Sequence, residues 1–115
     1  MLSGAWAHHV YLVCMDAILD DVDVHVRMYA PGSGVPEDPA TGSAAAALSG
    51  YLSKADGREQ ASLQWTVEQG IEMGRPSLLQ VRAERLAKAT SRIQVGGSAV
   101  PVSQGIMTVP APSTR

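Results

Sequence analysis

Phenylalanine is absent from the 115 residues, cysteine occurs once, and neither sign of charge dominates, the net being −2. The lone Cys14 excludes an internal disulfide framework and suits a reducing compartment. Near-balanced charge without phenylalanine supplies neither the basic patch nor the aromatic platforms that a nucleic-acid binder needs. No apolar run is long enough to cross a bilayer. The opening "MLSGAWAHHVYLVC" lacks a basic first region and places histidines where the apolar stretch of a signal peptide would lie. Interior linkers, long charge runs and internal repeats are also missing. These absences predict a soluble, cytoplasmic chain with no membrane and no nucleic-acid partner. At 45% hydrophobic residues, one domain of this length buries a single core without staples.

What is present is mostly strand. In "DVDVHVRMY", Val22, Val24, Val26 and Met28 alternate with Asp23, His25, Arg27 and Tyr29, the period of a half-buried strand. "HHVYLVCM" reads as an earlier strand, ended by the acidic connection "DAILDDVD". "SLQWTVEQG" sets Leu63, Trp65 and Val67 against Gln64, Thr66 and Glu68, and "SLLQVRAER" sets Leu79 and Val81 against Gln80 and Arg82. "SRIQVGG" and "SAVPVSQGIMTV" follow as strands, with a tight turn expected at Gly96-Gly97. Residues 110–115 have the composition of a frayed tail.

One helix stands out. Ala44 to Leu52 carries no charge, and none appears until Lys54; Asp56-Gly57 supplies a stop. A helix apolar on nearly every side is normally buried. The pattern therefore predicts an α+β fold in which a mixed, mostly antiparallel, barrel-like sheet wraps around one central helix. The mouth of that helix, "GVPEDPATGS", is polar. Asp38 before Pro39 is a candidate N-cap and Thr41 a competing one. Either way Gly42 and Ser43 lie in the first turn, where unpaired backbone N–H groups and the helix dipole favour an anion such as a ligand carboxylate. A capped helix with an ordinary loop before it is the plainer alternative.

"RMYAPGSGVPEDPATGSAAAALSGYL", followed in order by "VEQGIEMGRPSLLQV" and "IQVGGSAVPVSQGIMTV", resembles the phenazine-biosynthesis PhzF-like family, of the diaminopimelate-epimerase-like fold. The resemblance runs from about Val10 to Val109 and rests chiefly on "EDPATGSA". It implies one of two similar lobes, each a barrel-like sheet around a helix, with an active site in the cleft between them. It also implies cofactor-independent, metal-free acid–base isomerisation of a small amino- or hydroxy-acid-type carboxylate. Carried onto the matching motif, Asp38 takes the catalytic role, and Thr41, Gly42 and Ser43 the substrate-binding one. No cysteine lies near this loop, so two-thiol racemisation is not supported.

Family members are longer, and the whole chain, 1–115, resembles their C-terminal lobe alone. The family's general-base glutamate belongs to the N-terminal lobe. Proton shuttling needs a donor and an acceptor within reach of the substrate, and Glu37, adjacent to Asp38 on an extended segment, should point away from it. The lobe is therefore expected to be inactive or incomplete alone. Three arrangements are open: an excised or remnant lobe, half of a split enzyme, or a lobe whose second copy covers the exposed face. We favour a homodimer, a stand-alone module with at most weak carboxylate binding.

Other features read plainly. His8-His9 and His25 are too few and scattered for a metal site, and His25 fits the polar face of its strand. Cys14 reads as a buried small residue. "EQGIEMGRPS" reads as a turn, with Arg75 or Ser77 facing the cleft as the minor alternative. "GSG" at 32–34 matches no phosphate loop. Arg82, Glu84, Arg85 and Lys88 read as a solvated, mixed-charge stretch.

Overall fold

The computed structural model describes residues 8–113. The alternating segments form strands β1 (Val10–Cys14), β2 (Val24–Ala30), β4 (Ala61–Gln69), β5 (Ser77–Leu86) and β6 (Ala89–Gly97). A further short strand, β3 (Val35–Asp38), precedes the helix α1 (Gly42–Asp56). The six strands make one sheet in the order β1-β2-β4-β5-β6, with β3 pairing on β2. All neighbours are antiparallel except β2 and β4, which run parallel with Val24 opposite Val67 and Val26 opposite Gln69. Parallel neighbours need a crossover, which β3 and α1 provide. The helix is thereby laid on one face of the sheet.

The core is the contact between that face and α1: Val24 and Val26 of β2, Ala45 and Leu48 of α1, Val67 of β4, and Leu79 and Val81 of β5, with Tyr11, Leu52 and Trp65 packed against it. Each fully buried aliphatic side chain contributes about 1.5–3 kcal/mol relative to exposure. Small residues let the layers approach: a Cβ on Gly50 would lie 3.2 Å from Ile93 Cδ1 of β6. The buried serines of α1 are satisfied, Ser49 Oγ donating to the Ala46 carbonyl (2.8 Å) and Ser53 Oγ pairing with Thr90 Oγ1 (2.9 Å). Gly57 ends the helix in the left-handed region, φ 76°.

This is an α+β lobe with one helix and a mixed sheet, and the sheet does not close. Beside β1 the helix stays open, Tyr51 being 72% exposed, and Tyr11, Val13, Met15, Ala44 and Ala47 flank an apolar groove of about 420 Å³. The helix is therefore buried on one side, not all round.

Four local expectations change. Cys14 is exposed, at the end of β1, the outermost strand of the sheet among the described residues. The segment expected as a strand at "SAVPVSQGIMTV" carries no regular structure, and Val100, Val102 and Ile106 are 81%, 91% and 102% exposed. Its alternation is real, but Pro101 removes a backbone donor, and among the described residues the segment pairs with no strand. The expected turn at Gly96-Gly97 is instead the end of β6. The radius of gyration is 17.6 Å, against about 13 Å for a compact chain of this length. Pro110–Ser113 are likewise exposed and irregular, while the rest of the expected frayed tail and the first seven residues lie outside the described ones.

The fourth change is Arg85. It is 6% exposed, and its guanidinium donates to the carbonyls of Ser53 (2.7 Å), Arg58 (2.7 Å) and Lys88 (2.8 Å). It thus satisfies an orphan carbonyl of the last turn of α1 and braces the two-residue β5–β6 turn, where Ala87 and Lys88 have positive φ. Strand alternation points Arg85 inward with Leu79, Val81 and Ala83. We expect Arg85→Met to cost about 2 kcal/mol or more in urea unfolding, since three carbonyls lose their donor, that of Ser53 being buried. The exposed Arg82→Met should stay within about 0.5 kcal/mol.

Candidate functional site

The site is built from the last residues of β4. Successive strand residues point to opposite faces, yet Glu68, Gln69 and Gly70 are all buried. Each is buried because a different loop folds onto it.

Glu68 faces the β1–β2 connection. Its carboxylate accepts the backbone N–H of Ile18 (2.6 Å) and Leu19 (2.9 Å) and the Nδ1–H of His25 (2.7 Å). His25 Nε2 donates to Glu72 Oε1 at 2.7 Å. With both carboxylates ionised, each can only accept, so this pairing favours the doubly protonated ring, with both nitrogens donating. Burial works against that charge, but Glu72 and Glu68 outweigh it and hold the His25 pKa above its ordinary value. Burial likewise pushes Glu68 upward, while the two amides and His25 pull it net below the usual carboxylate range. Glu72 is lowered in the same way.

Gln69 faces the helix mouth. Its Nε2 donates to the Asp38 carbonyl (2.6 Å) and to Thr41 Oγ1 (2.9 Å), and its Oε1 accepts the Thr41 N–H (3.2 Å). Thr41 Oγ1 in turn donates to Asp38 Oδ2 at 2.5 Å. Thr41 is the N-cap residue, with extended φ −123° and ψ 91°, and Asp38 is not. The Thr41 hydroxyl does not cap the helix. It is turned back to Asp38, and the first-turn N–H groups at Gly42 and Ser43 receive no side-chain acceptor.

Gly70 is the point of closest approach. At φ +80° a Cβ there would lie 2.8 Å from the Pro39 carbonyl oxygen and collide with the Arg75 carbonyl. The "GIEMGRPS" turn, closed by the Arg75 N–H on the Gly70 carbonyl (3.0 Å), thus sits directly against "EDPAT". A recess of about 610 Å³ opens beside it, lined by Ala40, Pro76, Ser77, Leu79, Val95 and Gly96, among others. Ser77 reaches this recess; Arg75 contributes backbone to the Gly70 contact instead.

Glu37 points away from Asp38 and is held by Arg27, Nε to Oε1 at 2.8 Å and Nη2 to Oε2 at 3.0 Å. That pair keeps the Glu37 carboxyl below its ordinary pKa. The structure thus brings Asp38, Thr41, Gly42 and Ser43 together at one mouth. His9 pairs with Ser33 (2.7 Å), and no group of three or more metal-ligating side chains converges among the described residues. No helix among the described residues is long and apolar enough to cross a membrane. Sequence reading missed Glu68 and Gln69. Their signal was a break in alternation, two polar residues ending an apolar strand just before a glycine.

A lobe of mixed sheet and one helix, with a carboxylate and open amides at the helix mouth, defines the structural class. Residues 8–105 match the PhzC-PhzF family, described as phenazine biosynthesis-like protein, and the chain belongs to that family. It is 39% identical over 95 residues to an uncharacterized isomerase of Mesorhizobium japonicum, covering 83% of this chain and 32% of that protein. It is 41% identical over 83 residues to the trans-2,3-dihydro-3-hydroxyanthranilate isomerase of Pseudomonas chlororaphis, covering 72% and 30%. A phenazine biosynthesis-like domain-containing protein of Pongo abelii is 34% identical over 87 residues, covering 76% and 27%. The chain therefore spans about a third of the length of these curated relatives.

Two predictions follow from β4. Gly70→Ala, strained in φ and obstructed by backbone, should cost at least about 2 kcal/mol in chemical denaturation. The stability–pH curve should have two limbs. Glu68 and Glu72, lowered on folding, stabilise above the ordinary carboxylate range, and that contribution is lost as pH falls through their folded values. His25, raised on folding, stabilises fully below its ordinary value of 6.5, and its contribution fades as pH rises through the folded value. His25→Gln should flatten the decline above neutral pH, as read from unfolding midpoints across pH.

Proposed function

We propose that this chain is the substrate-holding lobe of a PhzF-like, cofactor-independent isomerase that acts on a small carboxylate, and that turnover needs a complementing N-terminal lobe. The observation that carries this reading is Asp38, fixed through Oδ2 beside a helix mouth whose first-turn amides lack a side-chain cap. In it, Gly42 and Ser43 take the substrate carboxylate and Asp38 exchanges a proton with the substrate carbon skeleton. The other carboxylates nearby are committed, Glu37 to Arg27 and Glu68 and Glu72 to His25. An isomerisation removes one proton and adds one, with no net change, and in this reading the second acid–base group comes from the complementing lobe. The dihydro-hydroxyanthranilate in the Pseudomonas name has the required carboxylate. The single cysteine suits a reducing, cytoplasmic setting.

A second reading, a non-catalytic homodimer, is favoured by the open apolar groove between β1 and α1. Sedimentation of the chain, with and without the remaining part of the Pseudomonas chlororaphis enzyme, separates the two. The isomerase reading expects anthranilate to shift the Gly42 and Ser43 amide resonances of the chain alone. It further expects the mixed lobes to exchange substrate protons with deuterated solvent, and Asp38→Asn to lower that rate about 100-fold or more while leaving the fold intact. Anthranilate shifts confined to other residues, or full activity in Asp38→Asn, would overturn it.

A further inference from the structure

We infer that Gln69 is a positioning residue that aims Asp38, through Thr41, so that Oδ1 is the atom left for the substrate; this rests on the reading of Asp38 as the proton-transfer group. The orientation of the Gln69 amide is not arbitrary. Its oxygen faces the Thr41 N–H, a donor, and its nitrogen faces the Asp38 carbonyl, an acceptor. Flipping it would set donor against donor and acceptor against acceptor. Both Nε2 hydrogens are consumed, one by the Asp38 carbonyl and one by Thr41 Oγ1. Because the Thr41 oxygen accepts from Gln69, its own proton is directed onward to Asp38 Oδ2.

Gln69 thereby holds Asp38 twice, by its backbone carbonyl and, one residue removed, by its carboxylate. Oδ2 is occupied, and Oδ1 takes no hydrogen bond among the described residues. Gln69 itself is fully buried, which keeps water from competing for its own amide and restricts its rotamer. No other side chain substitutes: glutamate lacks the two donors, asparagine is shorter, and methionine supplies neither donor nor acceptor. The Thr41 hydroxyl serves this relay in place of capping, so its removal is separable from helix stability.

The test uses Gln69→Met, Thr41→Val and Thr41→Ser. In the chain alone, the side-chain carboxyl carbon-13 resonance of Asp38 should move in Gln69→Met and Thr41→Val and return toward its original position in Thr41→Ser, which restores the hydroxyl. With the complementing lobe present, Gln69→Met and Thr41→Val should lower kcat about 10- to 100-fold, with KM within about threefold because the Gly42 and Ser43 amides are untouched; Thr41→Ser should recover most of kcat. If Gln69→Met fails to fold, the Thr41 pair decides. An Asp38 resonance unmoved in Thr41→Val, or a loss confined to KM, overturns the inference. Full activity in Asp38→Asn would defeat the proposed function instead, while the resonance would still report whether the relay exists.

Discussion

The fold and the site hang on the buried carboxyl-terminal end of β4. Glu68, Gln69 and Gly70 are consecutive, buried, and each fastened to a different piece of chain: the β1–β2 connection, the mouth of α1, and the turn before β5. A buried carboxylate and a buried amide are costly unless every polar atom finds a partner. Here the partners include backbone groups of two loops, at Ile18, Leu19, Asp38 and Thr41. The requirement that buried polar groups be satisfied thus becomes the device that orders the loops, and the loops carry the chemistry.

This arrangement also sorts the carboxylates. Glu37 is neutralised by a two-pronged contact with Arg27, and Glu68 and Glu72 clasp His25 from either ring nitrogen. Those charges hold β3 and the β4–β5 turn to β2. The Asp38 carboxylate is held differently, by one neutral donor, the Thr41 hydroxyl, through Oδ2, beside the first-turn amides of α1. The chain spans about a third of the length of its curated relatives.

Much of the fold was legible because it is local. Val24, Val26 and Met28 alternate with polar neighbours and are buried as their period requires. Gly57 stops the helix where composition places the stop. The "EDPATGSA" segment was legible as a motif; in the structure Thr41 is the N-cap, bonded to Asp38, and Gly42 and Ser43 open the helix. What was not legible depends on distant partners. β3 contains Pro36 and forms because β2 offers its edge. Arg85 looks solvated among charged neighbours, but the end of α1 and the β5–β6 turn bring three carbonyls to it. Gln69 is a polar residue ending a strand, and its role appears only when a residue 28 positions earlier folds against it. The exposed apolar residues from Val100 to Val109 carry strand-like alternation but form no strand.

Amide hydrogen exchange resolved at single residues tests the central dependence on β4 most directly. The Ile18, Leu19 and Thr41 amides lie outside regular structure, yet each donates to a buried side chain of β4. They should exchange within about tenfold of the slow β4–β5 ladder amides, as members of the same cooperative unit. Exchange at the rate of free loops, with the ladder still protected, would contradict the claim that the end of β4 organises the site.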